Sequence, residues 1–263
     1  MFRSFFAEAR KLRRPTLALS TLLTVAGLSI LFTSIVYLRI KSGEPNTKMG
    51  ERITAAELSH YVGLVYGFKL VAFFLGITAL CIFASQTAQE YTFGTLRNLL
   101  VRQPIRIKIL AGKFLAMSLF AAIMVAFTAV VTIATSYALA GKGGVNTSAW
   151  MSSDGIQLLG ETYGNILLST IGFGTLGMIL GLLFRSPITA ISIGVLWSLI
   201  LETILAAAVS STLKWLPAQN IANIAEGGSR SIGYSHSIFL SLAYLGVGLV
   251  AVSILFQRRD VAN

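Results

Sequence analysis

Two ionisable side chains stand inside otherwise apolar runs and are the first candidates for chemistry. Glu202 interrupts the run from Ile188 to Val209, and Lys69 interrupts the run from Val62 to Ser85. An acid at the centre of a bilayer costs roughly 2.5–3.5 kcal/mol on insertion scales, so Glu202 must face protein or water and hold a partner. It either lines a polar path or gate at a subunit interface or makes an interhelical hydrogen bond. Lys69 lies close enough to one membrane surface for its ammonium to snorkel there; the sharper alternative is a contact with a substrate or a partner acid. Ser235 and Ser237 flank His236, but neighbours on a helix end seldom face each other as a nucleophile and its base must. The only other histidine is His60, and no acid stands at His-Glu-x-x-His spacing. The single cysteine, Cys81, forms neither an intramolecular disulfide nor a zinc cluster. A phosphate loop needs an upstream glycine and a hydroxyl residue after Gly-Lys. Gly112-Lys113 and Gly141-Lys142 lack that glycine and are followed by Phe114 and Gly143. These patterns predict no catalytic residue, metal or cofactor on this chain.

The surroundings of these residues are those of a membrane protein. Hydrophobic residues make up 55% of the 263 and charged residues 12%, about half the charged share of a soluble domain. So little charge cannot cover a water-facing surface. The net charge of +11 is carried at the ends of apolar runs, where membrane orientation is encoded, and no aromatic–basic interleaving predicts a nucleic-acid partner. About 20 apolar residues in a helix cross the hydrocarbon core. Six runs reach that length: 16–38, opened by Pro15, then 62–85, 109–139, 162–184, 188–209 and 237–256. They are continuous rather than alternating, so they predict helices and not a barrel. The expected fold is an all-α membrane protein of six transmembrane helices, a single domain over 1–263.

With both termini in the cytoplasm, the cytoplasmic segments hold thirteen Lys and Arg residues and the outer segments seven, the asymmetry that sets orientation. The first fifteen residues carry five basic side chains. The apolar run behind them is longer than a signal-peptide core and lacks a cleavage site, which predicts a retained first span. Phe2, Phe5, Phe6 and Ala9 alternate at helical spacing with Arg3, Arg10, Lys11, Arg13 and Arg14. That pattern predicts an interfacial helix with its apolar side in lipid. Residues 141–161, rich in Gly and Ser, read as a loose outer loop. Residues 211–235 read as short helices half-sunk in the interface. Gly177-x-x-x-Gly181, with Gly174 before it, lets another helix approach closely, more readily within the chain than at a dimer seam.

The most informative loop lies between the second and third runs. Helix two should end near Gly94, which tolerates a terminating conformation, and Thr95 can cap a new short helix. Leu96, Leu99 and Leu100 share one face of that helix, with Arg97 and Asn98 off it; Pro104 ends it, and Arg106, Lys108 and Lys113 follow. An amphipathic rod with basic flanks suits a groove on a cytoplasmic partner.

At this point the sequence resembles a known family. Glu90-Tyr-x-x-Gly94-Thr95-Leu96, followed at this spacing by Pro104, Arg106 and Gly112-Lys113, is similar to the type-2 ABC exporter permeases. The six-span layout, the basic N-terminus and the semi-apolar segment 211–235 extend the likeness over nearly the whole chain. The resemblance implies that residues 95–103 are a coupling helix docking on a separate ATPase subunit. Its contacts would be Glu90, Gly94, Thr95, Leu96, Arg97, Leu99, Leu100 and Arg102. It further implies that 2–14 is the interface helix and 211–235 an outer re-entrant element, with Glu202 and Lys69 candidates for the substrate path. On this reading the chain is not an enzyme. ATP and Mg belong to the partner ATPase, and a second copy or a homologue completes the pathway. The location is the plasma membrane, in a bacterium the cytoplasmic membrane, and the cargo a drug, peptide antibiotic or lipid-like molecule. Alternatives from other classes are a secondary transporter without ATPase and a non-transporting sensor or scaffold subunit.

Overall fold

The computed structural model describes residues 2–42, 47–48, 51–52, 54–95, 101 and 105–258. Six helices are long and apolar enough to cross a membrane: Pro15–Ile40, Gly63–Thr92, Arg106–Gly143, Ser153–Phe184, Pro187–Ala208 and Tyr234–Gln257, here spans 1 to 6. Each overlaps one predicted run. Among the described residues, three short α-helices accompany them: α1 (Phe2–Leu12), α2 (Ala55–Ser59) and α3 (Pro217–Glu226). A small antiparallel ladder pairs β1 (Thr47–Lys48) with β2 (Glu51–Arg52), Thr47 opposite Arg52.

Local sequence explains the helix ends. Thr54 and Glu57 form a reciprocal capping box at α2. Ser152 caps span 4, and Ser186 with Pro187 opens span 5. Span 4 ends at Arg185, which adopts left-handed φ 56° without being glycine; its guanidinium lies 5.6 Å from the Tyr91 ring centre.

Spans 2 and 4 are the centre of the bundle. Small residues let their backbones meet, as the Gly177-x-x-x-Gly181 pattern requires, and the contact is within the chain. A Cβ on Gly181 would stand 2.8 Å from the carbonyl oxygen of Ala84, and one on Gly174 would stand 2.8 Å from the Phe83 ring. At Gly177 a Cβ would collide with the Leu80 backbone. Phe73 and Phe173 meet edge to face with centroids 5.7 Å apart. Spans 1 and 5 each bury one narrow stripe, Val25, Ser29, Thr33 and Val36 on one, Ala190, Gly194, Ser198 and Glu202 on the other. Their remaining apolar side chains, such as Leu23 and Ile188, face outward with those of span 6, such as Phe239 and Val247. An apolar outer surface of this kind is suited to hydrocarbon rather than water.

Residues 141–161 depart from expectation, because they are not a loose loop. Span 4 begins at Ser153, and Trp150 is fully buried, its Nε1–H donating to the Leu58 carbonyl at 2.8 Å. A buried indole needs such an acceptor, and the Gly and Ser content hid this one anchor. Segment 211–235 contains short helices, as expected, but α3 is sunk further than half. Ala218, Asn220, Ile221, Asn223, Ile224 and Ala225 are all buried. The hydroxyl of Ser169 donates to the Ile221 carbonyl at 2.7 Å. Ser169 lies sixteen residues into span 4, about 24 Å along it, so α3 turns back deep between spans 4 and 6. Gly227 and Gly228, at φ 83° and 98°, reverse the chain behind it.

Candidate functional site

One end of the bundle gathers α1, the two ends of segment 93–105, the turn at Arg185 and the end of span 6. Four ionisable groups form a knot there. Lys113, on span 3 and 2% exposed, donates to Glu8 Oε2 at 3.0 Å, Glu90 Oε1 at 2.9 Å and the Gln86 carbonyl at 2.9 Å. All three ammonium protons therefore have acceptors. Lys11 reaches Glu8 Oε1 at 2.7 Å and Glu90 Oε1 at 3.1 Å. Two cations and two carboxylates balance, which is what makes burial of this much charge tolerable. Burial opposes ionisation of Glu8, but the charge of Lys113 and the hydrogen bond and charge of Lys11 outweigh it, so its carboxyl is held below the ordinary value. Burial likewise disfavours the Lys11 cation, and Glu8 and Glu90 overcome it, raising its pKa.

The knot alters the expected place of α1. Its stripe of Phe5, Glu8, Ala9 and Leu12 packs on span 3 and the core instead of lying in lipid, while Phe6 stays exposed. The physical reason is Glu8, which sits in the middle of the apolar stripe and draws the helix to Lys113. Sequence reasoning did not single out Glu8, and read Lys113 only as a basic flank of the loop. The signal was a lone cation inside Ile109–Leu115 and an acid at helical spacing between Phe5 and Leu12.

Both roots of segment 93–105 are fastened. On one side, span 2 runs to Thr92 and Gly94 turns it with φ 63°, the predicted termination. Glu90, one of the expected contacts to the ATPase subunit, is 6% exposed and turned into the knot. Tyr91 stacks edge-on with Phe256 of span 6, centroids 6.5 Å apart. On the other side, Arg106 Nη1 donates to the Phe256 carbonyl at 2.6 Å, and its guanidinium lies 5.8 Å from the Phe256 ring centre. Gly94 and Thr95 are exposed. Leu96, Arg97, Leu99, Leu100 and Arg102 lie outside the described residues. Val101 is helical and 81% exposed.

Glu202 is fully buried six residues before the end of span 5. Its carboxylate accepts from Trp197 Nε1 at 2.6 Å, from the backbone N–H of Ala218 at 3.0 Å and from that of Gln219 at 2.9 Å. The last two are the opening amides of α3, which carries no cap of its own. Glu202 is thus a capping anion supplied by another helix. A π turn over Trp197–Leu201 brings Trp197 and Glu202, five residues apart, onto one face. Asn220, Asn223 and Ser237 complete a neutral network behind it, Asn223 donating to Ser237 at 2.8 Å and Ser237 to Asn220 at 3.2 Å. His236 lies at the surface with Nε2 2.9 Å from the Lys214 carbonyl.

Lys69 lies at the same far end of the bundle, near the start of span 2. It lines a cavity of about 510 Å³ with Glu161, Thr162, Asn165, Glu226 and Tyr234. The structure therefore does not bring the knot, Glu202 and Lys69 into one centre. The knot is at one end, and Glu202 and Lys69 serve separate places toward the other.

Six apolar spans packed through glycines define a multi-pass α-helical membrane protein. Within that class, the chain belongs to the family described as Protein of unknown function (DUF2705), whose model matches residues 51–262. The match takes in spans 2 to 6, with Glu90, Lys113, Glu202 and Lys69. No match is found among curated proteins.

Proposed function

We propose that this chain is the membrane-spanning permease of an ATP-driven ABC exporter, with its termini and segment 93–105 on the cytoplasmic side. The observation that carries the reading is the fastening of that segment. Its first root is tied through Glu90 and Tyr91, and its second through Arg106 and Lys113, to α1, spans 2 and 3 and the end of span 6. A push delivered to residues 95–103 would reach four helices at once rather than bend a slack loop. The Glu90 carboxylate then acts as an internal anchor of the coupling segment, while Leu96, Leu99 and Leu100 are the residues offered to the ATPase. The partner binds ATP and Mg, a second permease copy or homologue completes the path, and an apolar or amphipathic cargo crosses from the cytoplasmic membrane outward.

The test is purification of the tagged chain with any nucleotide-binding subunit found encoded beside it, followed by transport in proteoliposomes. The pair should hydrolyse ATP and move cargo, and Leu96→Asp with Leu99→Asp should abolish both copurification and flux while leaving membrane insertion intact. Cargo movement by the chain alone would make it a secondary transporter. A stable complex without flux would make it a sensor or scaffold.

A further inference from the structure

Helix α1 carries two stripes, and the knot accounts for only one of them. Phe5, Glu8, Ala9 and Leu12 face span 3 and the core. Beside them Phe6, Arg10 and Arg13 stand at positions i, i+4 and i+7, and all three are exposed, Phe6 by 63%. Arg13 keeps this register past the end of α1, because its N–H still donates to the Ala9 carbonyl at 3.1 Å. Among the described residues neither guanidinium has a carboxylate within ion-pair distance. Only Arg13 and Arg14, both exposed, separate α1 from Pro15, which opens span 1. The outward Leu19 and Leu23 follow on that span. The stripe therefore sits where the apolar outer surface begins, at the height of a headgroup layer. The exposed charge at this end has one sign. Glu8 and Glu90, the two acids described there, are buried and matched by Lys11 and Lys113. The exposed ionisable groups that remain are Arg10, Arg13, Arg14, Lys108 and Arg185, all cationic. The other end mixes signs, with Glu57, Asp154 and Glu161 exposed alongside Lys142 and Arg230. By neutralising its own acids, the knot leaves this surface to draw its counter-charge from outside the chain.

We propose that Phe6, Arg10 and Arg13 form a binding stripe for anionic phospholipid, the phenyl ring reaching the acyl boundary and the two guanidiniums holding the headgroup phosphate. A planar guanidinium offers paired N–H donors that match phosphate oxygens. An exposed phenyl ring beside two arginines fits an amphiphile better than a free phosphate, which has nothing apolar to bury. Continuity with the outward face of span 1 favours a lipid over a folded protein. The proposal stands on the membrane fold alone, and its test needs neither ATPase nor cargo.

The experiment is native mass spectrometry of the full chain taken from mixed micelles holding a minority of phosphatidylglycerol in phosphatidylcholine. The chain should retain phosphatidylglycerol well above its share, and added salt should reduce the enrichment by screening the arginines. Each cation near an anionic surface is worth about fivefold in partitioning, so Arg10→Gln with Arg13→Gln should lower the enrichment by at least about tenfold. Arg10→Lys with Arg13→Lys keeps the charge and should recover most of it. Phe6→Ser should weaken retention severalfold and keep the preference for the anionic lipid. Lys142→Gln with Arg230→Gln removes the same charge at the other end and should change nothing. No enrichment, unchanged enrichment in the arginine-to-glutamine pair, or equal loss from the far-end pair would each overturn the proposal. Displacement by glycerol phosphate at the same headgroup concentration would also overturn it and make the ligand a soluble anion. Loss of ATPase copurification with lipid retention unchanged would overturn it in favour of a protein contact.

Discussion

The carboxylates of Glu8 and Glu90 at one end, and that of Glu202 toward the other, face the same difficulty of removing a charged group from water. The first pair answers with two full counter-charges, Lys11 and Lys113. Glu202 answers with an indole N–H and the first amides of a helix. Ion pairing ties together helices that come from distant parts of the chain but tolerates no missing member. Amide capping needs no second charge and fixes only the element whose amides are used. The difference therefore teaches where the molecule fastens many parts to one another and where it seats a single one.

The comparison breaks most visibly at Lys113. Lys113→Ala leaves Glu8 and Glu90 with Lys11 alone, and is expected to lower stability by about 3–5 kcal/mol in detergent unfolding. Lys113→Met combined with Glu90→Gln leaves the Glu8–Lys11 pair and should recover most of that loss. Equal damage from the single and double variants would mean that charge balance is not what the knot supplies. Next is Glu202→Leu, which strips three donors of their acceptor and should cost about 2–3 kcal/mol. Its damage should be local, with hydrogen exchange accelerated in α3 and unchanged in α1; Glu202→Gln, keeping one acceptor oxygen, should do less.

Acidity sharpens the contrast further. Because Glu8 is held below its ordinary value of 4.5, its stabilisation is present above that pH and fades as pH falls through the lowered value. Lys11, raised above 10.5, contributes below that pH and loses its contribution only as pH climbs through the raised value. Stability measured against pH should be flat between these limits and fall on the acid side first in the knot; replacing Glu8 with Gln should remove the acid-side slope assigned to it. The smallest effect is at Gly94. A Cβ there meets nothing within 4 Å, so Gly94→Ala should cost only the left-handed backbone penalty of about 1–2 kcal/mol, read as a modest drop in melting temperature.

Much of the architecture was legible because hydrocarbon imposes a simple rule: a run long and apolar enough must be a helix. Spans 1 to 6, the turn at Gly94 and the close approach at Gly177 and Gly181 follow from that rule and from glycine geometry. The pairings were harder to read. Glu8 and Lys113 are 105 residues apart, and nothing local marks them as partners. Glu202 could be assigned a need for a partner but not its identity, since backbone amides leave no trace in side-chain sequence. Trp150 was hidden for a related reason: its acceptor is a carbonyl, which every residue has. Lys69 looked like an ordinary snorkelling cation because its acidic and amide neighbours come from two other elements.

The π turn at Trp197–Leu201 holds one residue more than an α-helical turn would. Rewinding it to regular α geometry with every residue kept would swing Glu202 round the helix axis by about 100°, facing it away from Ala218 and Gln219. Span 5 is thus wound like a clasp with a single surplus link, and the seat of α3 is held only while that link stays looped out.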